Sequence, residues 1–172
     1  MTSSERKAYR AQEHRSTRNY HTLDEFKHRI TPDFIQRLKD NEIFVFGSNL
    51  AGAHGGGAAR IAFEKFGAIM GQGVGLQGQS YAIPTMQGGV ETIKPYVDEF
   101  IEFAKQHPGY KFLVTKIGCG IAGFKDEEIA PLFDHAIDVE NIILTKEFVE
   151  VIRGSQEDKY NLKRFLNEQD VY

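Results

Sequence analysis

Residues 42–66 read EIFVFGSNLAGAHGGGAARIAFEKF, and this stretch decides the fold class. It opens with a continuous apolar run, residues 42–46, that ends at Gly47. An apolar run without polar alternation is typical of a strand covered on both faces of a parallel sheet. The helix predicted over 57–66 has four apolar residues at helical spacing, Ala58, Ile61, Ala62 and Phe66. The stretch therefore predicts a buried strand, a glycine-rich loop and a helix, in that order.

A second strand–loop–helix unit follows later in the chain. A strand is predicted over 111–117 and a helix over 126–137, restarting at Pro131, with the loop GCGIAGF at 118–124 between them. The loop glycines fit the pattern G-x-G-x-x-G in the context that this pattern requires. The acidic residue expected about 20 positions further on, at the end of the next strand, is missing. The loop therefore predicts phosphate binding and disfavours a dinucleotide-dependent dehydrogenase.

Hydrophobic periodicity fills in the rest of the chain. Further helices are predicted over 33–39, 92–107 and 160–166, and further strands over 81–83, where Pro84 stops the pairing, and 141–144. Residues 71–78 are expected to be a flexible loop, although their glycines also fit G-x-G-x-x-G. The alternation of strands and helices predicts an α/β fold, a three-layer α/β/α sandwich with a mixed, mostly parallel sheet. Residues 1–32 are expected to form an arm or short helices, and 33–172 a single domain.

Composition narrows the class of protein. The chain has 172 residues, a net charge of -3 and 41% hydrophobic residues, as expected for one globular domain. The net charge disfavours nucleic acid as a partner, although the first residues are locally basic. The single cysteine, Cys119, fits a reducing compartment, and no apolar run approaches the roughly 20 residues of a membrane span. We expect a cytoplasmic protein without a membrane partner, a metal site or a bound cofactor; the oligomeric state stays open.

The two glycine-rich loops are the candidate ligand site. Both follow strands, and in open α/β sheets ligands bind beyond the carboxyl ends of the strands. Free amides at a helix start favour an anion, and three successive glycines let a ligand approach the backbone. Asn49 is a candidate hydrogen-bonding amide, while His54 is either a ligand contact or a solvated loop residue. Cys119 is interpreted as a small turn residue rather than a nucleophile.

These motifs resemble the macrodomain superfamily, whose modules bind ADP-ribose, and more closely a divergent bacterial-type branch of it. The family's first signature is similar to the strand ending in Gly47-Ser48-Asn49, followed by Gly55-Gly56-Gly57-Ala58. Its second is similar to Gly118–Phe124 with the acidic helix start after it, and Ile83-Pro84-Thr85 matches a strand between them. The acidic pair of the poly-ADP-ribose glycohydrolases is replaced by Ala58-Ala59, so that activity is not implied.

The resemblance implies where the ligand lies. The phosphates would lie across Gly118–Phe124, the distal ribose would contact Asn49 and Gly55–Gly57, and Phe124 would line the ribose pocket. In hydrolytic macrodomains an Asn at the position of Asn49 orients the substrate or the attacking water. The candidate catalytic residues are Asn49 and His54. The candidate ligand-binding residues are Gly47, Ser48, Asn49, Gly55, Gly56, Gly57, Ala58, Thr85, Gly118, Cys119, Gly120, Ile121, Ala122, Gly123 and Phe124.

The leading hypothesis is binding of ADP-ribose or a related nucleotide or ribose phosphate. If the protein is an enzyme, the resemblance implies a hydrolase of an ADP-ribosyl bond. Two alternatives stay open. One is a non-catalytic nucleotide sensor or interaction module that uses the same pocket. The other is a Rossmann-like enzyme that depends on NAD or another nucleotide.

Overall fold

The computed structural model describes residues 29–169, which form five strands and the helices between them. The strands are β1 (Glu42–Ser48), β2 (Gly75–Gln77), β3 (Ser80–Pro84), β4 (Lys111–Val114) and β5 (Ile142–Ile143). The helices are α1 (Gly57–Lys65), α2 (Val90–Gln106), α3 (Asp126–Ile129), a 3₁₀-helix (Ala130–Asp138) and α4 (Lys146–Gln169).

The strands form one mixed sheet in the order β2-β3-β1-β4-β5. Strand β1 is central and pairs in parallel with β3 on one side and β4 on the other, and β5 continues the parallel pairing. Only β2 runs antiparallel, at the edge beside β3, among the described strands. The prediction of an α/β fold with a mixed, mostly parallel sheet is confirmed.

Alternating residues of β1 divide the core into two parts, as strand geometry requires. Ile43 and Val45 belong to the larger cluster, which α2 and α4 cover. Phe44 and Phe46 belong to a smaller cluster on the opposite face, which α1 covers. The apolar stripe predicted for α2 is confirmed because all its members are buried: Val97, Phe100, Ile101 and Ala104. On α1, by contrast, Ile61 is exposed and Ala59 is buried instead. The buried face of α1 is therefore rotated around the helix axis relative to the predicted apolar stripe, and that prediction is wrong in part.

The order of the strands determines where a ligand can bind. The connection after β1 leads through α1 to β3 on one side, and the connection after β4 leads through α3 to β5 on the other. The loops that follow β1 and β4 therefore diverge and leave a crevice between adjacent strands. Ligands of open α/β sheets bind at such topological switch points. Both glycine-rich loops begin at the switch point between β1 and β4.

The helix predicted over 33–39 is wrong, since this segment has no regular secondary structure. Ile35 and Leu38 still pack against the smaller cluster, but Phe34 is 89% exposed. The Lys39 carbonyl accepts a hydrogen bond from the Gln79 side chain at 3.0 Å. Tertiary contacts thus hold the segment in an irregular conformation, and they override its helical spacing.

The loop predicted over 71–78 contains the edge strand β2, which the sequence analysis missed. A Cβ on Gly78 would lie 2.7 Å from the Gly67 Cα, so these two glycines allow the backbones to meet. Gly73 has a similar role, because a Cβ there would overlap the Asn49 carbonyl oxygen. Gly73 and Gly78, two of the glycines in this segment, therefore allow close backbone packing, and residues 75–77 form a strand instead of the predicted flexible loop.

Several element bounds also differ. Strand pairing is predicted to stop at Pro84, yet the Thr85 amide still donates to the Ser48 carbonyl at 2.9 Å. The predicted helix 126–137 is one α-helical turn followed by the 3₁₀-helix, with Pro131 near the start of the latter. Strands β4 and β5 are shorter than predicted, and the last helix, Lys146–Gln169, begins well before residue 160.

The chain joins the sheet at its first described residues. The Arg29 guanidinium donates to three carbonyls at the end of the 3₁₀-helix and in β5, those of Ile137, Val139 and Ile142. The Thr31 amide donates to the Leu144 carbonyl at 2.8 Å. The rest of the arm predicted over 1–32 lies outside the described residues. Within 29–169, none of the helices has the length and apolarity that crossing a membrane requires.

Candidate functional site

A cleft of about 160 Å³ lies at the carboxyl ends of β1, β3 and β4. The loop after β1, residues 49–56, forms one wall, and the loop after β4, residues 115–124, forms the other. We name them loop 1 and loop 2. The lining residues are Gly47, Ser48, Asn49, Ala53, Gly56, Gly57, Ala58, Ala59, Thr85, Met86, Thr115, Lys116, Ile117, Gly118, Gly120, Ile121 and Ala122.

Loop 1 is closed by the side chain of Asn49. Its Oδ1 accepts the Ala53 amide at 2.9 Å, and its Nδ2 donates to the Ala53 carbonyl at 3.1 Å. The other side of the loop packs against residues 71–73. Gly52, in loop 1, has a φ of +70°, and a Cβ on it would overlap the backbone of Gln72. The Ser48 hydroxyl donates to the Gly73 carbonyl. Loop 1 is therefore held on both sides before any ligand arrives.

The carboxyl ends of β1, β3 and β4 pack closely together and form the floor of the cleft. A Cβ on Gly47 would lie 3.3 Å from the Thr85 Oγ1 and 3.4 Å from the Gly118 amide nitrogen. The Thr115 hydroxyl donates to the Val45 carbonyl at 2.8 Å, which ties the end of β4 to β1. A glycine at position 47 thus lets loops 1 and 2 begin side by side.

Loop 2 is a compact turn built on glycine. The Phe124 amide donates to the Gly118 carbonyl at 2.9 Å, and the Gly123 amide to the Gly120 carbonyl at 3.0 Å. Gly118 and Gly123 have φ values of +76° and +78°, a region in which residues with a side chain are strained. A Cβ on Gly118 would also lie 2.9 Å from the Ile129 Cδ1. Both positions require glycine for the fold alone.

Six backbone amides of the cleft lining have no hydrogen-bond acceptor among the residues that the structure describes, 29–169. Gly57, Ala58 and Ala59 form the first turn of α1, where no intrahelical acceptor exists. Gly120, Ile121 and Ala122 lie in loop 2. Over residues 29–169, none of these amides donates to a backbone or side-chain acceptor. One set of three such donors lies at the start of α1, directly after loop 1, and the other set lies in loop 2, so both sets line the same cleft.

At two of the lining glycines, neither the backbone φ nor a backbone neighbour among the described residues, 29–169, requires glycine. At Gly120, no atom lies within 4 Å of the place that a Cβ would occupy, and φ is not positive. Gly56 is extended, with a φ of -155°, and its only near neighbour is the end of the Ile121 side chain at 3.2 Å. Glycine costs chain entropy wherever a larger residue would fit. The absence of a side chain at both positions keeps the cleft open.

Lys116 is the only residue with a formal charge among the lining residues that the structure describes. Its Nζ lies 3.5 Å from the Asp126 Oδ2, at the start of α3. Within loop 2, burial and the adjacent Asp126 carboxylate raise the pKa of the Cys119 thiol to about 12. This thiol is protonated at neutral pH, which agrees with the interpretation of Cys119 as a turn residue rather than a nucleophile.

Most of the predicted ligand-binding residues do come together. The cleft contains Gly47, Ser48, Asn49, Gly56, Gly57, Ala58, Thr85, Gly118, Gly120, Ile121 and Ala122. Four others lie in the two loops without lining the cleft: Gly55, Cys119, Gly123 and Phe124. Phe124 packs instead against the larger core cluster, beside Gly118. The implied place of Phe124 in a ribose pocket is therefore corrected.

His54 is also corrected, because it lies outside the cleft. Its ring is 1% exposed and packs edge-on against Phe46, with ring centroids 5.3 Å apart. Its Nε2 lies 2.9 Å from the Ile69 carbonyl oxygen and 3.2 Å from the Gln77 Oε1. The histidine thus ties loop 1 to the edge strand β2 and is not placed as a base in the cleft.

Six lining residues were not predicted from the sequence: Ala53, Ala59, Met86, Thr115, Lys116 and Ile117. The last three follow the end of β4, so the carboxyl-end rule would have found them if the end of that strand had been placed at Val114. The described residues contain no group of three or more side chains suited to hold a metal ion. The chain matches no family model, no curated protein and no solved structure.

Proposed function

We propose that the cleft binds the phosphate groups of ADP-ribose or of a related nucleotide or ribose phosphate. The observation that carries this proposal is the set of free amides on the two walls, at Gly57–Ala59 and at Gly120–Ala122. Convergent backbone N–H groups form a concave anion site, as in other glycine-rich phosphate loops. A diphosphate has enough acceptor oxygens to bond with both walls at once.

The start of α1 adds to the attraction for an anion. The helix has nine residues, its N-cap is Gly56 without a side-chain cap, and its first turn contains no acidic residue. Most helices satisfy these amides with Ser, Thr, Asp or Asn. Leaving them uncapped is costly unless another acceptor takes their place. A bound phosphate would supply that acceptor and would also interact with the helix dipole.

The size of the cleft suits only part of such a ligand. Its 160 Å³ is less than the roughly 300–1,000 Å³ of pockets that enclose a whole nucleotide-sized molecule. We therefore assign the phosphates and one ribose to the cleft and the remaining nucleoside to its rim. Met86 and Ile121, which are 48% and 75% exposed, offer apolar surface there.

The lining favours binding over hydrolysis. No carboxylate and no imidazole belong to the lining residues that the structure describes, and Asn49 uses both polar atoms of its amide within loop 1. A general acid or base needs to reach the reacting atoms directly or through one water. We therefore propose a binding module, the first alternative of the sequence analysis, with the ligand that the macrodomain resemblance implies.

Isothermal titration of the protein with ADP-ribose, NAD, AMP and adenosine tests this function. We expect ADP-ribose to bind in the micromolar range, and adenosine, which has no phosphate, to bind much more weakly. Chromatography of the same mixtures after overnight incubation would reveal turnover. Equal affinity for adenosine and ADP-ribose would refute the phosphate site, and rapid turnover would refute the binding module.

A further inference from the structure

Lys116 differs from the other lining residues that the structure describes because its side chain has a full charge. The other lining residues that the structure describes offer amides, hydroxyls and apolar groups. The Lys116 carbonyl accepts the Cys119 amide at 3.1 Å, so the residue starts the turn that forms loop 2. Its backbone position is thereby fixed relative to the free amides of Gly120–Ala122.

The ammonium of Lys116 is held only weakly. It lies 3.5 Å from the Asp126 carboxylate, which is longer than the 2.7–3.2 Å of a typical N–H···O hydrogen bond. The two side chains are 49% and 25% exposed. Ion pairs of this kind contribute little to stability because water and salt compete with them. The lysine can therefore exchange its partner for a stronger anion at small cost.

The surroundings of loop 2 explain why a cation is needed there. Helix α3 begins with three acidic residues in a row, Asp126, Glu127 and Glu128. Glu128 is used at the helix start, where its Oε1 accepts the Lys125 amide at 3.1 Å. Carboxylates so close to loop 2 repel a bound phosphate. A positive charge on the cleft side of them offsets that repulsion.

We propose that Lys116 is the charged ligand of the bound phosphate, and that it leaves Asp126 when the phosphate arrives. The inference rests on the proposed function and names the residue that makes the cleft select phosphate-bearing ligands over neutral nucleosides. Backbone amides alone attract any acceptor, whereas an ammonium adds an attraction that scales with the ligand's negative charge. Asp126 acts as a competitor that occupies the lysine in the empty protein.

Substitutions at the two residues should have opposite effects on affinity. Lys116→Met keeps an unbranched side chain that is one atom shorter and removes the charge, so affinity for ADP-ribose and for inorganic pyrophosphate should fall about tenfold. Asp126→Asn removes the competitor, so affinity for both should rise about twofold to fivefold. Lys116→Arg should stay near the wild type. If the lysine served only its pair with Asp126, both charge-removing variants would shift affinity in the same direction.

The experiment is isothermal titration of the full chain and these variants with ADP-ribose and with inorganic pyrophosphate at low and moderate salt. Lys94→Met is the matched control, because Lys94 forms an exposed pair with Asp98 on α2. Circular dichroism melting checks the fold, and Lys116→Gln is a second neutral variant should Lys116→Met fold poorly. Opposite shifts at Lys116 and Asp126, with Lys94→Met unchanged, support the proposal. Unchanged affinity in both neutral Lys116 variants overturns it.

The two ligands separate this inference from the proposed function. Pyrophosphate binding that depends on Lys116, without ADP-ribose binding, supports the lysine and refutes ADP-ribose as the ligand. ADP-ribose binding that ignores Lys116 supports the function and refutes the lysine. Absence of binding by both ligands overturns both.

Discussion

Glycines in the same loop should respond in opposite ways to a single added methyl group. Gly118→Ala places a Cβ at a φ of +76° and 2.9 Å from the Ile129 Cδ1. The left-handed conformation costs about 1–2 kcal/mol for alanine, and overpacking against a fully buried isoleucine costs about 1–3 kcal/mol. Gly120→Ala meets nothing within 4 Å at a compatible φ. It should stabilise the protein by about 0.4–1 kcal/mol through the unfolded chain.

Thermal unfolding of the two variants, followed by circular dichroism, measures this contrast. For a chain of this size, 1 kcal/mol shifts Tm by about 2–4 °C, so the combined cost of about 2–5 kcal/mol should make Gly118→Ala melt roughly 4–20 °C below the wild type. Gly120→Ala should melt at or slightly above the wild-type temperature. Equal destabilisation by both variants would mean that Gly120 serves the fold. The reasoning that assigns this glycine to an open cleft would then be refuted.

Four further predictions concern other side chains. Asn141→Leu should lower the free energy of unfolding by about 1–3 kcal/mol, because the Nδ2 of Asn141 donates to three carbonyls around the end of α2, and an unchanged urea midpoint would contradict this. The pKa of Cys119 is raised to about 12, so iodoacetamide at pH 8 should alkylate it far more slowly than free glutathione, and a similar rate would refute its protonated state. Because this folded pKa lies above the ordinary thiol value of 9.0, the thiol's contribution to stability should be complete below pH 9 and decline as the pH rises toward 12. Asn49→Asp keeps the acceptor for the Ala53 amide but adds a negative charge to the cleft. The affinity for ADP-ribose should therefore fall more than tenfold, while Tm changes by a few degrees. Retained affinity would argue against an anion site.

The parts of the fold that the sequence predicted are those with strong local patterns. Strand β1 contains the continuous apolar run 43–46, and the stripe of α2 recurs at helical spacing from Val97 to Ala104, so the apolar pattern alone identified both. Both glycine-rich loops were placed after strands for the same reason. Their meeting in one cleft follows from the strand order, which local pattern implies only through the general rules of α/β sheets.

The failures occur where tertiary contacts decide the structure. Residues 33–39 have helical spacing, yet Ile35 and Leu38 pack against the smaller core cluster while the segment has no regular secondary structure. Strand β2 is three residues long and contains Gly75, so no periodic signal could reveal it. His54 is polar and lies between glycines, and nothing local shows that its ring packs against Phe46.

The roles of the glycines in the site also could not be predicted from the sequence. Sequence alone treats the loop glycines alike, because it contains neither φ angles nor neighbouring atoms. In the structure, Gly118 and Gly123 are required by backbone conformation, while Gly56 and Gly120 are not. Only the second pair argues for a ligand, and only the structure separates the two pairs.

The most direct test of the phosphate cleft is isothermal titration of ADP-ribose into the wild-type protein, Gly120→Glu and Gly109→Glu. Gly109 is the matched control, because its Cβ position is also open and it lies before β4, at the opposite end of the sheet. Both variants should melt near the wild-type temperature. We expect micromolar binding by the wild type and Gly109→Glu, and none by Gly120→Glu, whose carboxylate would stand among the free amides. Undiminished binding by Gly120→Glu would contradict the claim that this cleft holds the phosphates.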